Sequence, residues 1–289
     1  MTELEEFILT KSTNTEQTKK NYRTQYKSIK ALLTNDFNKS SQEEILNAIS
    51  QLSKGNPSSE WTYINLPIMI RKNGELPINL LEKRREELKL LRDEHTQNNK
   101  IVKNDTLPSM KVIQDYTKQL YKNKEYKKFI VNFLFINYGV RNKDVDVFLV
   151  ESSKDAKDNS INYFIVKKNE IEWRINEYKT LQNYGAKKII IKSKPFIEAV
   201  INLPMNTWLL SGTDVKLNDS GLATTLKRML YNKLTEGDYF KIILKDINSK
   251  PNTTQLLEYY SGTRGTDYAT LLKYYDVSNK QQIMPDIEI

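Results

Sequence analysis

Cysteine is absent from the 289 residues, and histidine occurs once, at His95. The first absence excludes a disulfide scaffold and a thiolate metal site. The second, with no HExxH or EF-hand pattern anywhere, means that no metal centre is expected. No apolar run approaches the ~18 residues of a membrane span, so no membrane partner is expected. The opening Met1-Thr2-Glu3-Leu4-Glu5-Glu6 is acidic, against a secretory or mitochondrial leader. The expectation is an intracellular protein of a host nucleus, a viral factory or a bacterial cytoplasm. No P-loop, no GxGxxG and no internal repeat occurs, and no cofactor is implied.

What is present is positive charge. Lysine and arginine number 45 against 36 acidic residues, a formal net charge of +9. That excess suits a polyanion. Seventeen tyrosines accompany many lysines, asparagines and isoleucines, all with AT-rich codons. The same composition therefore fits a protein from an AT-rich genome, such as that of a large DNA virus, a mobile element or a bacterium.

The chain is long enough for two domains. Residues 1–95 read as a helical domain. Tyr22, Tyr26, Ile29 and Leu33 recur at helical spacing, leaving Lys19, Lys20, Arg23, Lys27 and Lys30 mostly on the opposite face. Ser41-Gln42-Glu43-Glu44 is a capping-box pattern. Gly55 and Pro57 break the chain before an apolar stretch from Trp61 to Ile70, and Leu80–Leu91 predicts an amphipathic helix with Lys83, Arg84 and Arg85 exposed. Residues 96–106 turn polar and aperiodic, as a linker. A second domain then spans 107–277, followed by a polar tail, 278–289. In it Ser109 caps a helix, Tyr126–Tyr138 is a nearly continuous apolar helix, and Gly139 ends that helix to deliver Arg141 from a turn. Between Ile161 and Ile191, Tyr163–Val166, Ile171–Asn176 and Lys187–Ile191 alternate as strands, predicting a small antiparallel sheet. The fold class expected is α+β, mostly helical.

Three segments carry chemistry in a recognisable order. Ile136-Asn137-Tyr138-Gly139-Val140-Arg141-Asn142-Lys143-Asp144-Val145 resembles the box that holds the first catalytic arginine of the tyrosine recombinases, the phage integrase family. Trp173–Thr180 with Tyr184–Ile191 resembles the hairpin of that family's catalytic lysine, and Arg264–Val277 resembles the stretch closing on its nucleophilic tyrosine. The resemblance covers roughly the C-terminal two-thirds of the chain. It implies Arg141 as phosphate clamp beside Asp144, Lys179 as acid and Tyr274 as nucleophile, with Tyr275 as the neighbouring alternative. It also implies a helical core-binding domain upstream, whose DNA contacts would come from Lys19, Lys20, Arg23, Lys27, Arg84 and Arg85.

The pattern departs from the family at three positions. Asp238 and Lys241 stand where the family has histidine and its second arginine, and Gly265 stands where it has histidine or tryptophan. Lys241, or Arg264 next to Gly265, would have to supply the second phosphate contact. The resemblance implies double-stranded DNA as partner, a dimer or tetramer on it, and cutting and rejoining through a 3′-phosphotyrosyl intermediate. Two further readings stay open: a descendant that binds DNA without efficient cleavage, and a type IB topoisomerase-like enzyme.

Overall fold

The computed structural model describes residues 2–10, 16–178, 180–251 and 253–266; for residues 9, 17, 93 and 95–105 it describes the backbone alone. Lys179, Tyr274, Tyr275 and the expected tail lie outside the described residues. The chain divides into two compact units, 1–105 and 106–289.

The first unit is helical: α1 (Glu3–Thr10), α2 (Glu16–Lys30), α3 (Gln42–Ser53), α4 (Pro57–Asn73) and α5 (Asn79–Thr106). The helical spacing of Tyr22, Tyr26 and Ile29 is spent on a core shared with Phe7, Phe37, Ile45, Ile49 and Ile64. At the start of α3 the capping box forms as read: Glu44 N donates to Ser41 Oγ at 3.1 Å, and Ser41 N to the Glu44 carboxylate at 2.7 Å. Lys54 and Gly55 turn through positive φ, and Asn56 caps α4 with Pro57 in its first turn. Buried Arg71 donates to the carbonyls of Phe37 (2.7 Å), Ser40 (2.8 Å) and Pro77 (3.0 Å), tying two loops to α4. The backbone stays helical through 96–106, where a linker was expected. Polarity does not break a helix by itself, and no proline or glycine interrupts the stretch between Pro77 and Pro108.

The second unit holds α6 (Met110–Lys122), α7 (Tyr126–Tyr138), β1 (Val147–Val150), β2 (Asn162–Lys167), β3 (Glu170–Ile175), α8 (Leu181–Tyr184), β4 (Lys187–Ile191), α9 (Lys194–Ile201), α10 (Asp219–Met229), α11 (Glu236–Asn248) and α12 (Thr253–Arg264). The fold is α+β and mostly helical. Being apolar on every side, α7 is the buried spine, with Phe129 to Ile136 all buried. Its one buried polar side chain, Asn132, is satisfied. The amide donates to Lys128 O (2.7 Å) and Met229 O (3.0 Å) and accepts from the Tyr239 hydroxyl.

The sheet differs from expectation. Its order is β1-β2-β3-β4, and β1 runs parallel to β2, with Val147 opposite Asn162. Only the β2-β3 and β3-β4 pairs are antiparallel. The sheet is mixed because β1 follows a 3-10 turn at Asn142–Val145, and residues 151–161 carry the chain back before β2 begins. Asn162 fixes what leaves β3: its amide donates to Lys143 O and Glu177 O, both at 3.0 Å, and accepts from Asn176 N and Glu177 N, both at 2.8 Å.

Glu172, 1% exposed on β3, accepts from three cations: Lys167 and Arg174 at 2.6 Å and Lys188 at 3.0 Å. Burial alone would raise its carboxyl, but the three hydrogen bonds outweigh it and bring the group down to about 2. A depressed acid contributes stability above its unfolded pKa, lost as pH falls toward the folded one. Glu172→Gln should therefore melt below wild type at pH 7, with the gap closing between about pH 4.5 and 2. Calorimetry across that range checks it, and a gap independent of pH would refute it.

Gly139, the residue after α7, has φ +57°, and a Cβ there would sit 2.7 Å from Tyr260 Cδ1 and 3.0 Å from Phe240 Cε2. Both rings are buried and belong to other helices, so they cannot swing aside. Gly139→Ala should cost about 2–5 kcal/mol, combining left-handed strain with overpacking. Denaturant unfolding measures this directly.

Candidate functional site

Two helix ends meet in the second unit. Each α-helix leaves carbonyls without intrahelical partners at its C-terminus and carries partial negative charge there. The end of α7 passes through Gly139 (φ +57°) and that of α12 through Gly265 (φ +62°).

Each end is capped by an arginine that the other delivers. From α12, Arg264 Nη1 donates to Gly139 O at 2.8 Å and Val140 O at 3.1 Å, while Thr263 Oγ1 donates to Tyr138 O at 2.7 Å. In return, Arg141 Nη1 donates to Arg264 O at 2.9 Å, and its Nη2 to Thr266 Oγ1 at 2.8 Å. Lys187, at the start of β4, donates to Gly262 O (2.8 Å) and Thr263 O (3.1 Å). Thr180 Oγ1 donates to Gly265 O at 2.7 Å and lies 3.5 Å from Arg141 Nη1. Glycine is required at 265 by this approach, since a Cβ would stand 2.6 Å from Thr180 Oγ1 and 3.0 Å from Lys187 Nζ.

Carboxylates hold the backbone of the frame and the tip of Arg264, but not those of Arg141 or Lys187 among the described residues. Asp144 Oδ2 accepts from the backbone N–H of Arg141 at 2.8 Å. Burial raises this carboxyl to about 6, and its Oδ1 is buried without a partner. Glu236 accepts from Arg264 Nη2 at 2.6 Å and from Asn142 N at 2.9 Å. Neither Arg141 nor Lys187 makes an ion pair among the described residues. Burial lowers the pKa of both, and the neighbouring charge of Arg264 lowers that of Arg141 further; for Lys187, Asp144 opposes the shift and Arg141 adds to it. Two half-buried cations that, among the described residues, hydrogen-bond only to carbonyls and hydroxyls form a place where an anion gains.

The structure brings Arg141 and Arg264 together, but Arg264 is committed to two carbonyls and Glu236, and its guanidinium lies 4.2 Å over the Phe240 ring. Lys241, on α11, is partly exposed and makes no hydrogen bond or ion pair with another described residue. Asp238 caps its own helix, accepting from Thr235 N at 3.0 Å and donating its N–H to Thr235 Oγ1 at 3.3 Å. Lys179 and Tyr274 are outside the described residues; Thr180 and Thr266, which approach or bond Arg141, are their nearest described neighbours on one side. Lys187 was not singled out from the sequence. The signal was its parity: it shares a strand face with Ile189 and buried Ile191 and pairs with buried Ile175.

In the first unit, most of the proposed DNA-contacting cations have carboxylate partners. Lys19 pairs with Glu16 (2.7 Å), Arg23 with Glu5 (3.1 Å), Arg84 with Glu60 (2.8 Å) and Glu87 (3.1 Å), and Arg85 with Glu86 (3.6 Å). Lys20 and Lys27 make no ion pair among the described residues.

No family model matches the chain, and no curated protein does. Among solved structures, it is similar to the crystal structure of XerA recombinase, with a TM-score of 0.36 and 15% identity over 96% of this chain and 94% of that one. Among the described residues no helix is long and apolar enough to cross a membrane.

Proposed function

We propose that this chain binds double-stranded DNA and cuts and rejoins it through a tyrosyl intermediate, as a divergent tyrosine recombinase. The observation that carries the reading is the Arg141 guanidinium, half-buried and, among the described residues, without a carboxylate partner, bonded to Thr266 Oγ1 and within 3.5 Å of Thr180 Oγ1. Those hydroxyls stand in the two segments that also hold Lys179 and Tyr274.

In the reaction, the Tyr274 oxygen attacks the scissile phosphorus and its proton passes to solvent. A Tyr–O–P bond to the 3′-phosphate forms, the bond from phosphorus to the 5′ oxygen breaks, and the departing oxygen takes a proton from a lysine. Lys179 is one candidate acid. Lys187 is the other, because burial makes its ammonium readier to give up a proton. Arg141 holds the non-bridging oxygens as charge develops. With Arg264 committed, Lys241 is left to make the second phosphate contact, as a point charge. Reversal of the same steps rejoins the strand without ATP. Dimeric or tetrameric assembly on DNA belongs to the same proposal.

The second reading, a DNA-binding relative without efficient cleavage, is favoured by Asp238, which serves as a helix cap where the family has a catalytic histidine. A nicked duplex that traps the covalent intermediate separates the two. The first reading expects a protein–DNA adduct on a denaturing gel; the second expects retardation on a native gel and no adduct.

A further inference from the structure

We infer that Arg264 and Glu236 form a positioning pair that sets the turn from which Arg141 projects, and that Arg264 is not itself a phosphate ligand. The inference rests on the reading of Arg141 as the phosphate-holding group and assigns the machinery behind it.

The contacts bracket Arg141 along the backbone. Arg264 holds the carbonyls of Gly139 and Val140, the two residues before it, at 2.8 and 3.1 Å. Glu236 holds the N–H of Asn142, the residue after it, at 2.9 Å. The two clamps are joined through the 2.6 Å ion pair between Glu236 and Arg264, whose side chains are 18% and 13% exposed. Asp144 holds the N–H of Arg141 itself. The carbonyls before this residue are thereby held from α12 and the N–H after it from the start of α11, while its own N–H is held by the turn that follows. A long side chain loses rotamer freedom when it is ordered. A rigid base and fixed acceptors reduce how much of that is lost on binding an anion.

The arrangement is also reciprocal, since Arg141 bonds the backbone carbonyl of Arg264 while Arg264 bonds the backbone just before Arg141. The planar fork is essential, because three acceptors on two different elements are met at once. A lysine in its place would keep the charge and meet fewer of them.

The test uses the full-length 15N-labelled chain and follows the arginine Nε–H resonances, with the Arg141 signal identified by its loss in Arg141→Lys. In wild type, the Arg141 signal should stand apart from the free-arginine position and shift on titration with inorganic phosphate. In Arg264→Lys it should collapse toward the free-arginine position and bind phosphate at least about tenfold more weakly, with far-UV circular dichroism unchanged. Glu236→Gln, which retains one acceptor and loses the charge, should move it the same way to a smaller extent. If Arg264→Lys fails to fold, Glu236→Gln decides the question by itself. An Arg141 signal and phosphate affinity unaltered in a folded variant would overturn the positioning role. A wild-type Arg141 signal that ignores phosphate would instead remove the phosphate reading, and the positioning claim would still be decided by the spectra without phosphate.

Discussion

Replacing Tyr274 by Phe is expected to abolish the covalent adduct on a nicked duplex while leaving DNA binding within about twofold of wild type. The substitution removes one oxygen, keeps the ring and leaves the net charge unchanged. In the proposed mechanism that oxygen is the atom that bonds to phosphorus, so no other group in it can form the linkage. Tyr275→Phe is the control. Should the adduct survive in Tyr274→Phe and vanish in Tyr275→Phe, the nucleophile moves by one residue; should it survive in both, a phosphotyrosyl mechanism through this segment is wrong.

Arg141→Ala is expected to lower the single-turnover rate of adduct formation at least about a hundredfold, the usual effect of removing one preorganised donor to a developing oxyanion. It should also lower stability by about 1–3 kcal/mol, because Arg264 O loses its Arg141 donor at a helix end that is already electronegative. Arg141→Lys separates the two effects. A lysine restores positive charge near the helix end, so much of the stability should return. It offers a point charge in place of a fork, so most of the rate should not. Rates come from quench-flow on the nicked duplex and stabilities from urea unfolding. A rate within about threefold of wild type in Arg141→Ala would show that this guanidinium serves only as a helix cap.

Residues at or beside the positions where the sequence departs from the resembled pattern have structural roles of their own. Asp238 does not hang in a vacant histidine position; it closes the capping box of α11 with Thr235. Gly265 admits Thr180 and Lys187 to the end of α12 where a bulky side chain would exclude them. Arg264 takes up the carbonyls of Gly139 and Val140 at the end of α7. Together these residues give a site in which helix ends and cations neutralise one another, with Arg141 and Lys187 making no ion pair among the described residues.

Much of the local structure was written in short-range patterns. The apolar run of Tyr126–Tyr138 predicted the buried α7, Ser41-Gln42-Glu43-Glu44 predicted the start of α3, and Gly139 predicted the turn that presents Arg141. These are decided by neighbours within a turn of chain, through caps, positive φ and periodicity, so a sequence alone determines them. The parallel β1, the commitment of Arg264 to Gly139 and Val140, and the convergence of Lys187 on the end of α12 were decided by tertiary structure. Each joins groups far apart in the chain, as Arg264 and Gly139 are. No local pattern can show which arginine will find a phosphate and which will find a carbonyl, because the same fork suits both and only the packing of α7 against α12 chooses between them.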